Sequence, residues 1–494
     1  MKLLSLCMCI CGCMSLNSNA QNYFNYTFDQ DEVWQFGLQV RQLTTGEFLL
    51  AGDSDDSTSE FGQLLIRINE DGVEQWRKYI HVDGNYFEIL GMTDEFTSSG
   101  EFYGGGNITN PSTQISDLFL IKYSSIGDTL WTKSIDWDNE GASDVVLMND
   151  SFFSVTGFIN TFNVTEPDAF LVRLDSSGSQ QWVQFYGGTE DDRAGSIVMD
   201  EQGNYFLGGY SNSNFSNGSY DNYLIKTDSS GILVFDSTYG GVNSDGGMSV
   251  VTVRNDTLFM FGYMDTIMGN PLPLPKSYVG AMDLIGNFYW RYFFNQSDTE
   301  QIIIWNATVD ESGSVYLCGE KNEALKGWLG KVDRNGNFLW ERTFQTRPNE
   351  PLAQHYLTDV QVLANGDIIC TGTAESITDT TRFDWDIWVL KVDSNGCLLP
   401  GCATGIEPIK KQESNFILYP NPANDFTTIM LERPLKKKTE VRFYNMIGEE
   451  IFTETAEQGM IDITIEVSCL PASLYLCTLW QEGVMIGSKK VVVK

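Results

Sequence analysis

The sequence has little histidine, because His81 and His355 are the only two imidazoles among 494 residues. Imidazole is the commonest general base and metal ligand, so this scarcity leaves little room for His-dependent catalysis or His-based metal sites. The chain also lacks a G-x-S-x-G elbow, an H-E-x-x-H pair and a P-loop, the motifs of serine hydrolases, zinc proteases and nucleotide-binding proteins. The sequence therefore favours a protein that is not an enzyme.

Positive charge is also scarce. The 31 Lys and Arg residues face 66 Asp and Glu residues, which gives a formal net charge of −35. This balance argues against nucleic acid as a partner, because phosphate binding needs a basic surface. A hydrophobic content of 42% and an aromatic content of 13% argue against disorder despite the charge.

Long apolar runs are confined to the N-terminus. Residues 1–20 have the form of a signal peptide, with Lys2 in the basic region, an apolar stretch at 3–14, and Ala20 before the expected cleavage point. The apolar stretch is too short for a permanent membrane span. A lipoprotein signal with Cys13 as the acylated residue is the alternative. The sequence predicts export and no transmembrane segment.

Six of the ten cysteines lie beyond the signal peptide, and export permits disulfides. Cys397 and Cys402 flank a Pro-Gly turn and form one candidate pair, and Cys469 and Cys477 form a second. The other two cysteines lie inside apolar strand patterns, where buried small hydrophobes are expected: Cys318 and Cys370. No C-x-x-C pair remains to bind zinc, so no metal site is expected from cysteine.

The middle of the chain repeats with a period near 50 residues. Tight turns followed by an aromatic residue recur at spacings of 55, 51, 53, 55 and 50: Trp76, Trp131, Trp182, Phe235, Trp290 and Trp340. A strand-ending glycine recurs at spacings of 54, 51, 52, 53, 57 and 53: Gly52, Gly106, Gly157, Gly209, Gly262, Gly319 and Gly372. A basic residue precedes the turn in six copies, with Met282 as the exception in the fifth: Arg67, Lys122, Arg173, Lys226, Lys331 and Lys391.

Four short runs of strand composition fill each copy, which is typical of a β-propeller blade. A linear solenoid would have shorter repeats, and separate sandwiches would need about 100 residues each. We predict an all-β chain with a seven-bladed β-propeller over 21–402. The seventh copy has its third strand at 386–392 but no fourth. Residues 22–29 resemble the missing strand and are predicted to complete the last blade.

The repeat also resembles the bacterial β-propeller repeat family of secreted proteins. Its best copy begins at Gly187-Gly188, continues through Asp192 and Ser196-Ile197, and ends at Gly231. That family has no common catalytic residues, so the resemblance implies a fold and not an activity.

The C-terminus has a different character. Residues 403–415 lack the repeat pattern and are predicted to be a linker, and 416–494 contain five or six short strands with turns, enough for a small β-sandwich. This module resembles the C-terminal sorting domain of the type IX secretion system of Bacteroidota. The residues that carry the resemblance, as sorting motif, are Tyr419, Pro420, Asn421, Pro422, Gly448, Tyr475, Lys489 and Lys490. The resemblance implies outer-membrane secretion machinery as a partner, usual removal of the module, and a secreted or surface-attached product.

Candidate ligand-binding residues lie where inner strands of the ring are expected to begin. They could surround one mouth of the central channel and hold a cation or a sugar, although solvated loop charge is the plainer interpretation: Asp191, Asp192, Asp245, Glu300 and His355. Four tryptophans could stack on sugars, although blade packing accounts for most tryptophans: Trp305, Trp328, Trp385 and Trp388. No cofactor is expected. Calcium is conceivable in the acidic loops 53–60 and 189–195, but neither has EF-hand spacing.

Two functions from different classes remain open. The first is a non-enzymatic propeller that binds or adheres to a glycan or a surface protein. The alternative is a secreted hydrolase or lyase that acts on polysaccharide, with channel carboxylates as acid and base.

Overall fold

The structure is a computed structural model. It describes residues 23–28, 35–55, 61–82, 84–113, 115–137, 140–159, 168–213, 220–240, 245–264, 276–294, 301–321, 325–348, 350, 353–376, 384–398, 416–445, 450–481 and 484–494. Several predictions therefore lie outside the described residues: the signal peptide at 1–20, the linker at 403–415, most of the acidic loop 53–60, and the single residues Glu300, Cys402 and Gly448.

Every regular element of the described residues is a β-strand, and the propeller part begins with β1 (Phe24–Phe28). The first blade contains β2 (Gln35–Gln42), β3 (Phe48–Asp55), β4 (Phe61–Ile68) and β5 (Glu74–Ile80). The second contains β6 (Tyr86–Met92), β7 (Phe102–Thr109), β8 (Ser116–Tyr123) and β9 (Thr129–Ile135). The third contains β10 (Glu140–Asn149), β11 (Phe152–Ile159), β12 (Asp168–Asp175) and β13 (Gln180–Tyr186).

The next three blades follow the same order. The fourth contains β14 (Asp192–Met199), β15 (Tyr205–Ser211), β16 (Asp221–Thr227) and β17 (Leu233–Tyr239). The fifth contains β18 (Met248–Arg254), β19 (Thr257–Met264), β20 (Lys276–Met282) and β21 (Phe288–Phe293). The sixth contains β22 (Ile302–Val309), β23 (Val315–Lys321), β24 (Lys326–Val332) and β25 (Phe338–Phe344).

The N-terminal strand closes the ring, as predicted. The seventh sheet has the order β1-β28-β27-β26, where β26 is Gln354–Val362, β27 is Ile368–Ser376 and β28 is Asp384–Val392. β1 pairs antiparallel with β28 from Phe24 opposite Lys391 to Phe28 opposite Ile387. The all-β, seven-bladed propeller is therefore confirmed.

The first strand of each complete blade lies innermost, because neighbouring blades meet through β2, β6, β10, β14, β18, β22 and β26. Each of these seven strands contains a β-bulge at the same place, where one extra residue faces its partner strand. The bulged residues are Leu38, Leu90, Ser143, Gly195, Val251, Trp305 and Thr358. Buried aromatic and aliphatic side chains fill the space between successive blades.

The tight turns of the repeat are built by an aspartate and a glycine. In the fourth blade, Oδ1 of Asp200 accepts hydrogen bonds from the N–H groups of Gln202 and Asn204, both at 2.9 Å. Gly203 has φ +81°, a left-handed conformation that favours glycine. The recurring Asp and Gly therefore stabilise turns.

In the fifth blade, the position that holds a basic residue in the other six copies is occupied by Ala281, not by Met282. Lys226 of the fourth blade pairs with Phe206, and the residue that pairs with the corresponding Phe259 of the fifth blade is Ala281. The sequence pattern placed the exception one residue late, because strand register is defined by the partner strand.

Residues Phe416–Val493 form the C-terminal sandwich, with seven strands where five or six were expected. One sheet contains β29 (Phe416–Tyr419), β30 (Phe426–Leu431) and β33 (Asp462–Glu466). The other contains β31 (Thr439–Tyr444), β32 (Glu450–Ala456), β34 (Ser473–Gln481) and β35 (Val484–Val493). The first apolar segment divides into β29 and β30 because the two prolines of the Tyr-Pro-Asn-Pro turn cannot donate backbone hydrogen bonds.

The second disulfide prediction is wrong, because Cys469 and Cys477 are both free thiols. Cys477 is fully buried in the core of the C-terminal sandwich, whereas Cys469 is exposed after β33. Side chains alternate between the two faces of β34, and Cys477 points into the core. Cys469 lies in an exposed loop, so the two thiols face different surroundings. Cys397 is disulfide-bonded, and its predicted partner lies outside the described residues. Cys318 and Cys370 are free and buried.

The C-terminal sandwich packs against the fifth blade. Ile417, Tyr419 and Met430 join the buried cluster that contains residues of β18 to β21. The backbone N–H of Arg291 donates to the carbonyl of Glu432, and the Arg291 guanidinium forms an ion pair with Asp462. β21 is consequently more buried than the other outer strands. No helix in the described residues has the length and apolar character needed to cross a bilayer.

Candidate functional site

The described candidate residues are buried at the start of inner strands. Asp192 and His355 occupy the same place in the repeat, three residues before the bulge, and are 0% and 2% exposed. Asp191 and Asp245 precede β14 and β18 and are also buried. Burial at these positions argues against solvated loop charge, and the partners of each group decide what it can do.

The paired aspartates of the fourth blade hold loops together. One carboxylate oxygen of Asp192 accepts hydrogen bonds from the Gly188 N–H and the Ser213 hydroxyl, both at 2.6 Å. Asp191 forms an ion pair with Arg193 at 2.9 Å and accepts a hydrogen bond from the Tyr220 hydroxyl at 3.2 Å. These contacts engage both oxygens of Asp191 but only Oδ2 of Asp192, whose Oδ1 is buried without a hydrogen-bond partner among the described residues.

His355 is enclosed by backbone groups. Its Nε2 accepts a hydrogen bond from the Thr346 N–H at 3.1 Å, and its Nδ1 lies 3.2 Å from the Leu325 carbonyl. Its ring meets Trp388 edge-on at 5.6 Å. Burial lowers the pKa of His355 despite the hydrogen bond to Leu325, so the imidazole is neutral. A neutral ring that spans two backbone groups is a structural element of the seventh blade.

A buried ion pair at the ring centre was not predicted. The Arg41 guanidinium lies 2.6 Å from Asp359, which is almost fully buried, and 2.9 Å from Asp94, whose side chain is 76% exposed. Asp359 also accepts hydrogen bonds from the Val40 N–H at 2.9 Å and from the Asn306 amide at 2.8 Å. This network joins the sixth, seventh and first blades.

Asp144 and Asp359 occupy the same place, directly after the bulge. Each carboxylate accepts the N–H of the following residue and one N–H of the next blade; for Asp144 these are Val145 at 2.8 Å and Ile197 at 3.0 Å. Burial raises the pKa of Asp144 to about 7, although the two backbone hydrogen bonds oppose the rise. A polar residue follows six of the seven bulges, with Gly91 as the exception, but the bulge itself is visible only in the strand register.

One tryptophan of the four candidates is largely exposed. Trp305, the bulged residue of β22, is 49% exposed, whereas Trp328 and Trp388 are fully buried. Trp385 is partly buried and packs on Phe36 at 5.8 Å. Of the four candidate tryptophans, Trp305 is therefore the one that is exposed to this degree on an innermost strand.

Carboxylates and a tyrosine accompany this indole, and we name the group the Trp305 cluster: Trp305, Glu320, Gln354, Tyr356 and Glu375. The side chains of Trp305 and Glu320 are hydrogen-bonded, and burial raises the pKa of Glu320 to about 7. The Tyr356 hydroxyl donates to Gln354 and lies 3.1 Å from Glu375. Burial and the charges of Glu375 and Glu320 raise the pKa of Tyr356. The sequence signal for Glu320 was its place directly after the marker glycine Gly319.

The described parts of the two acidic loops proposed for calcium contain no set of side chains arranged as metal ligands. No group of three or more His, Cys, Asp or Glu side chains in that part of the chain is arranged to hold a metal ion. In the loop 189–195, Asp191 and Asp192 are engaged as described above. Of the loop 53–60, Asp53 is buried and its pKa lies well above the usual range because of burial and the nearby Glu88.

The sorting motif is assembled from both ends of the C-terminal sandwich. The Asn421 amide donates to the Lys490 carbonyl at 2.7 Å and accepts from the Val492 N–H at 2.8 Å. Tyr419 is buried, and the carbonyl of Pro420 accepts from Thr427 at 2.9 Å. The Tyr475 hydroxyl donates to the Pro471 carbonyl at 2.8 Å. In the sequence, Pro422 follows Asn421 and Lys489 precedes Lys490. Motif residues about 70 positions apart therefore meet at β35.

The secretion system C-terminal sorting domain is the family whose model matches this chain, over residues 417–494. Residues 417–494 are a type IX sorting domain. The C-terminal sandwich is called the sorting domain below. Its presence indicates that the protein is exported to the cell surface or the medium, and it suggests contact with the secretion machinery.

More distant similarities accompany this match. The chain is 26% identical over 161 residues to the regulatory protein FlaEY of Caulobacter vibrioides, which covers 28% of this chain and 17% of that protein. The β-propeller domain of the trilobed protease from Pyrococcus furiosus is similar at 9% identity and a TM-score of 0.43, covering 77% of this chain and 100% of that one. Drosophila semaphorin 1a, extracellular domains 1–2, is similar at 11% identity and a TM-score of 0.44, covering 77% and 90%.

Proposed function

We propose that this protein is a secreted or surface-displayed binding protein whose propeller binds a glycan through the Trp305 cluster. The observation that carries the proposal is an indole that is 49% exposed on an innermost strand and hydrogen-bonded to a partly buried glutamate. The proposal includes two further expectations, one on the N-terminus and one on the source of the protein. Residues 1–20 act as a signal peptide, and the source is a member of the Bacteroidota.

A sugar ring has apolar faces and hydroxyl edges, and the cluster offers a complement to each. The Trp305 face can stack on the ring. The Tyr356 hydroxyl lies 3.1 Å from Glu375, and the charge of Glu320 acts on the same tyrosine, so these polar groups can exchange hydrogen bonds with sugar hydroxyl groups. Pockets that bind small ligands combine an aromatic surface with a few convergent polar groups in this way. A surface protein is the second ligand class.

Polysaccharide cleavage is the second candidate function. Glu320 favours it, because a carboxyl with a pKa of about 7 is suited to act as a general acid. The reaction also needs a second carboxylate about 5–10 Å away, for which Glu375 is the candidate. Product release from polysaccharides by the purified protein, abolished by Glu320→Gln, would support this function over simple binding.

Binding is tested with a glycan array and the variant Trp305→Ala. We expect affinity for the tightest-binding neutral oligosaccharide to fall about five- to thirtyfold, as the loss of about 1–2 kcal/mol of aromatic contact implies. Phe185→Ala is the matched control, since Phe185 is also 49% exposed but lies on the outer strand β13. Equal affinities for the wild-type and Trp305→Ala proteins would contradict the proposed site.

A further inference from the structure

A pocket of about 510 Å³ opens beside the turns of the fifth and sixth blades. Its positive side chains come from three parts of the chain: Arg254 at the end of β18, Arg334 between β24 and β25, and Arg433 in the sorting domain. Its described lining contains no acidic side chain. Three convergent guanidinium groups are unexpected in a chain with a net charge of −35, so this pocket differs from the rest of the surface.

The pocket exists because the fifth blade departs from the repeat. In the fourth blade, Lys226 reaches the next blade and donates to the carbonyl of Leu284 at 2.8 Å. In the seventh, Lys391 donates likewise to Glu70 at 3.1 Å. The fifth blade has Ala281 at this place, and the small side chain leaves space that a lysine fills elsewhere.

A tryptophan replaces the missing lysine contact. The Trp290 indole N–H donates to the carbonyl of Arg334 at 3.0 Å, the position that corresponds to Leu284 in the turn of the preceding blade. The inter-blade hydrogen bond is therefore kept, and Ala281, although only 1% exposed, is among the residues that line the pocket. Tyr289, which is 49% exposed, then forms the accessible part of an aromatic wall to which Trp290, only 4% exposed, also belongs.

The three arginines can still bind a ligand. Arg254 and Arg334 form no ion pair among the described residues. Arg433 donates one hydrogen bond, from Nη2 to the side-chain oxygen of Asn337, and its other N–H groups are left for a ligand. Guanidinium groups bind carboxylate and sulfate in a bidentate manner, and the aromatic wall suits a ring. The volume is within the range of small-molecule pockets.

We infer that this pocket binds an anionic sugar unit, a pyranose ring that carries a carboxylate or a sulfate. The ring would lie against Tyr289, and the anionic group would face Arg254, Arg334 and Arg433. This site is separate from the Trp305 cluster, and it stands or falls independently of the proposed function.

The test is calorimetric titration of the full chain with trigalacturonate, a sulfated disaccharide, a neutral trigalactoside and inorganic sulfate. We expect trigalacturonate or the sulfated disaccharide to bind at least about tenfold more tightly than the neutral sugar, and the affinity to fall as salt is raised. Arg334→Ala and Arg254→Ala should each weaken binding about tenfold or more, because a charge-assisted hydrogen bond is lost.

Two controls separate the site from general charge and from the Trp305 cluster. Arg342→Ala removes the same charge from the sixth blade outside the pocket, and Trp305→Ala removes the other candidate site. Both should bind the acidic sugar as the wild type does. Equal affinity for acidic and neutral sugars, no binding of either acidic sugar at millimolar concentration, or unchanged binding by both pocket variants would overturn the inference. If inorganic sulfate binds as tightly as the acidic sugars, the inference that the pocket recognises a sugar ring is overturned.

Discussion

Arg41 is a buried cation that forms ion pairs with one buried and one exposed carboxylate. Asp359 is almost fully buried, whereas Asp94 is mostly exposed to solvent. An exposed ion pair contributes little because water screens the attraction. Removing a buried partner leaves an uncompensated charge, which is strongly destabilising. The stability of the ring centre should therefore depend on one carboxylate and barely on the other.

Asp359→Ala should lower the free energy of unfolding by about 3–5 kcal/mol, because it removes the buried carboxylate of Arg41 and the acceptor of three further N–H donors, from Val40, Val360 and Asn306. Asp94→Ala, which removes the exposed partner of the same guanidinium, should cost less than about 1 kcal/mol. Chemical denaturation of both variants measures the difference. Similar losses in the two variants would show that burial does not separate the two ion pairs.

The strands show how much of this molecule was predictable from the sequence. Turn residues and apolar alternation are local, so the four-stranded units, their number and the closing strand were predicted correctly. The bulges are set by pairing between strands, and the Arg41–Asp359 pair joins residues 318 positions apart, so neither has a local pattern. Of the Trp305 cluster, only the indole was a candidate from the sequence. Its exposure depends on the bulge of β22, and its partners come from β23, β26 and β27, which are brought together by the fold.

Closure by β1 can be tested by comparing two proline substitutions in outer strands. Thr27→Pro removes a backbone donor from β1, opposite Trp388, and Ser237→Pro does the same in β17, opposite Leu224. Both disrupt the edge strand of one blade, but only the first loosens the junction between chain ends. We expect Thr27→Pro to lower the Tm by at least roughly 2 °C more than Ser237→Pro. Equal shifts in calorimetry would mean that β1 is an ordinary edge strand.

At the scale of the whole molecule, the outer strand of the fifth blade differs from the other outer strands because it contacts the sorting domain. Its outer strand buries Arg291 to 1% exposure, and that guanidinium stacks on Phe288 at 4.6 Å while it forms the ion pair with Asp462. A buried arginine in an outer strand would be unfavourable without this partner. The outer strand of the fifth blade therefore carries a residue, Arg291, that suits contact with the sorting domain.

Asp462→Ala should release the sorting domain from the fifth blade, because it leaves the buried Arg291 guanidinium without its carboxylate. Hydrogen exchange followed by mass spectrometry should show faster deuterium uptake in β21, whose Arg291 N–H bonds to Glu432, and unchanged uptake in β17. Glu466→Ala is the matched control, since it removes the same charge from an exposed position of the same strand, β33. If β21 exchanges equally in both variants, apolar contacts through Ile417, Tyr419 and Met430 hold the two domains together without the ion pair.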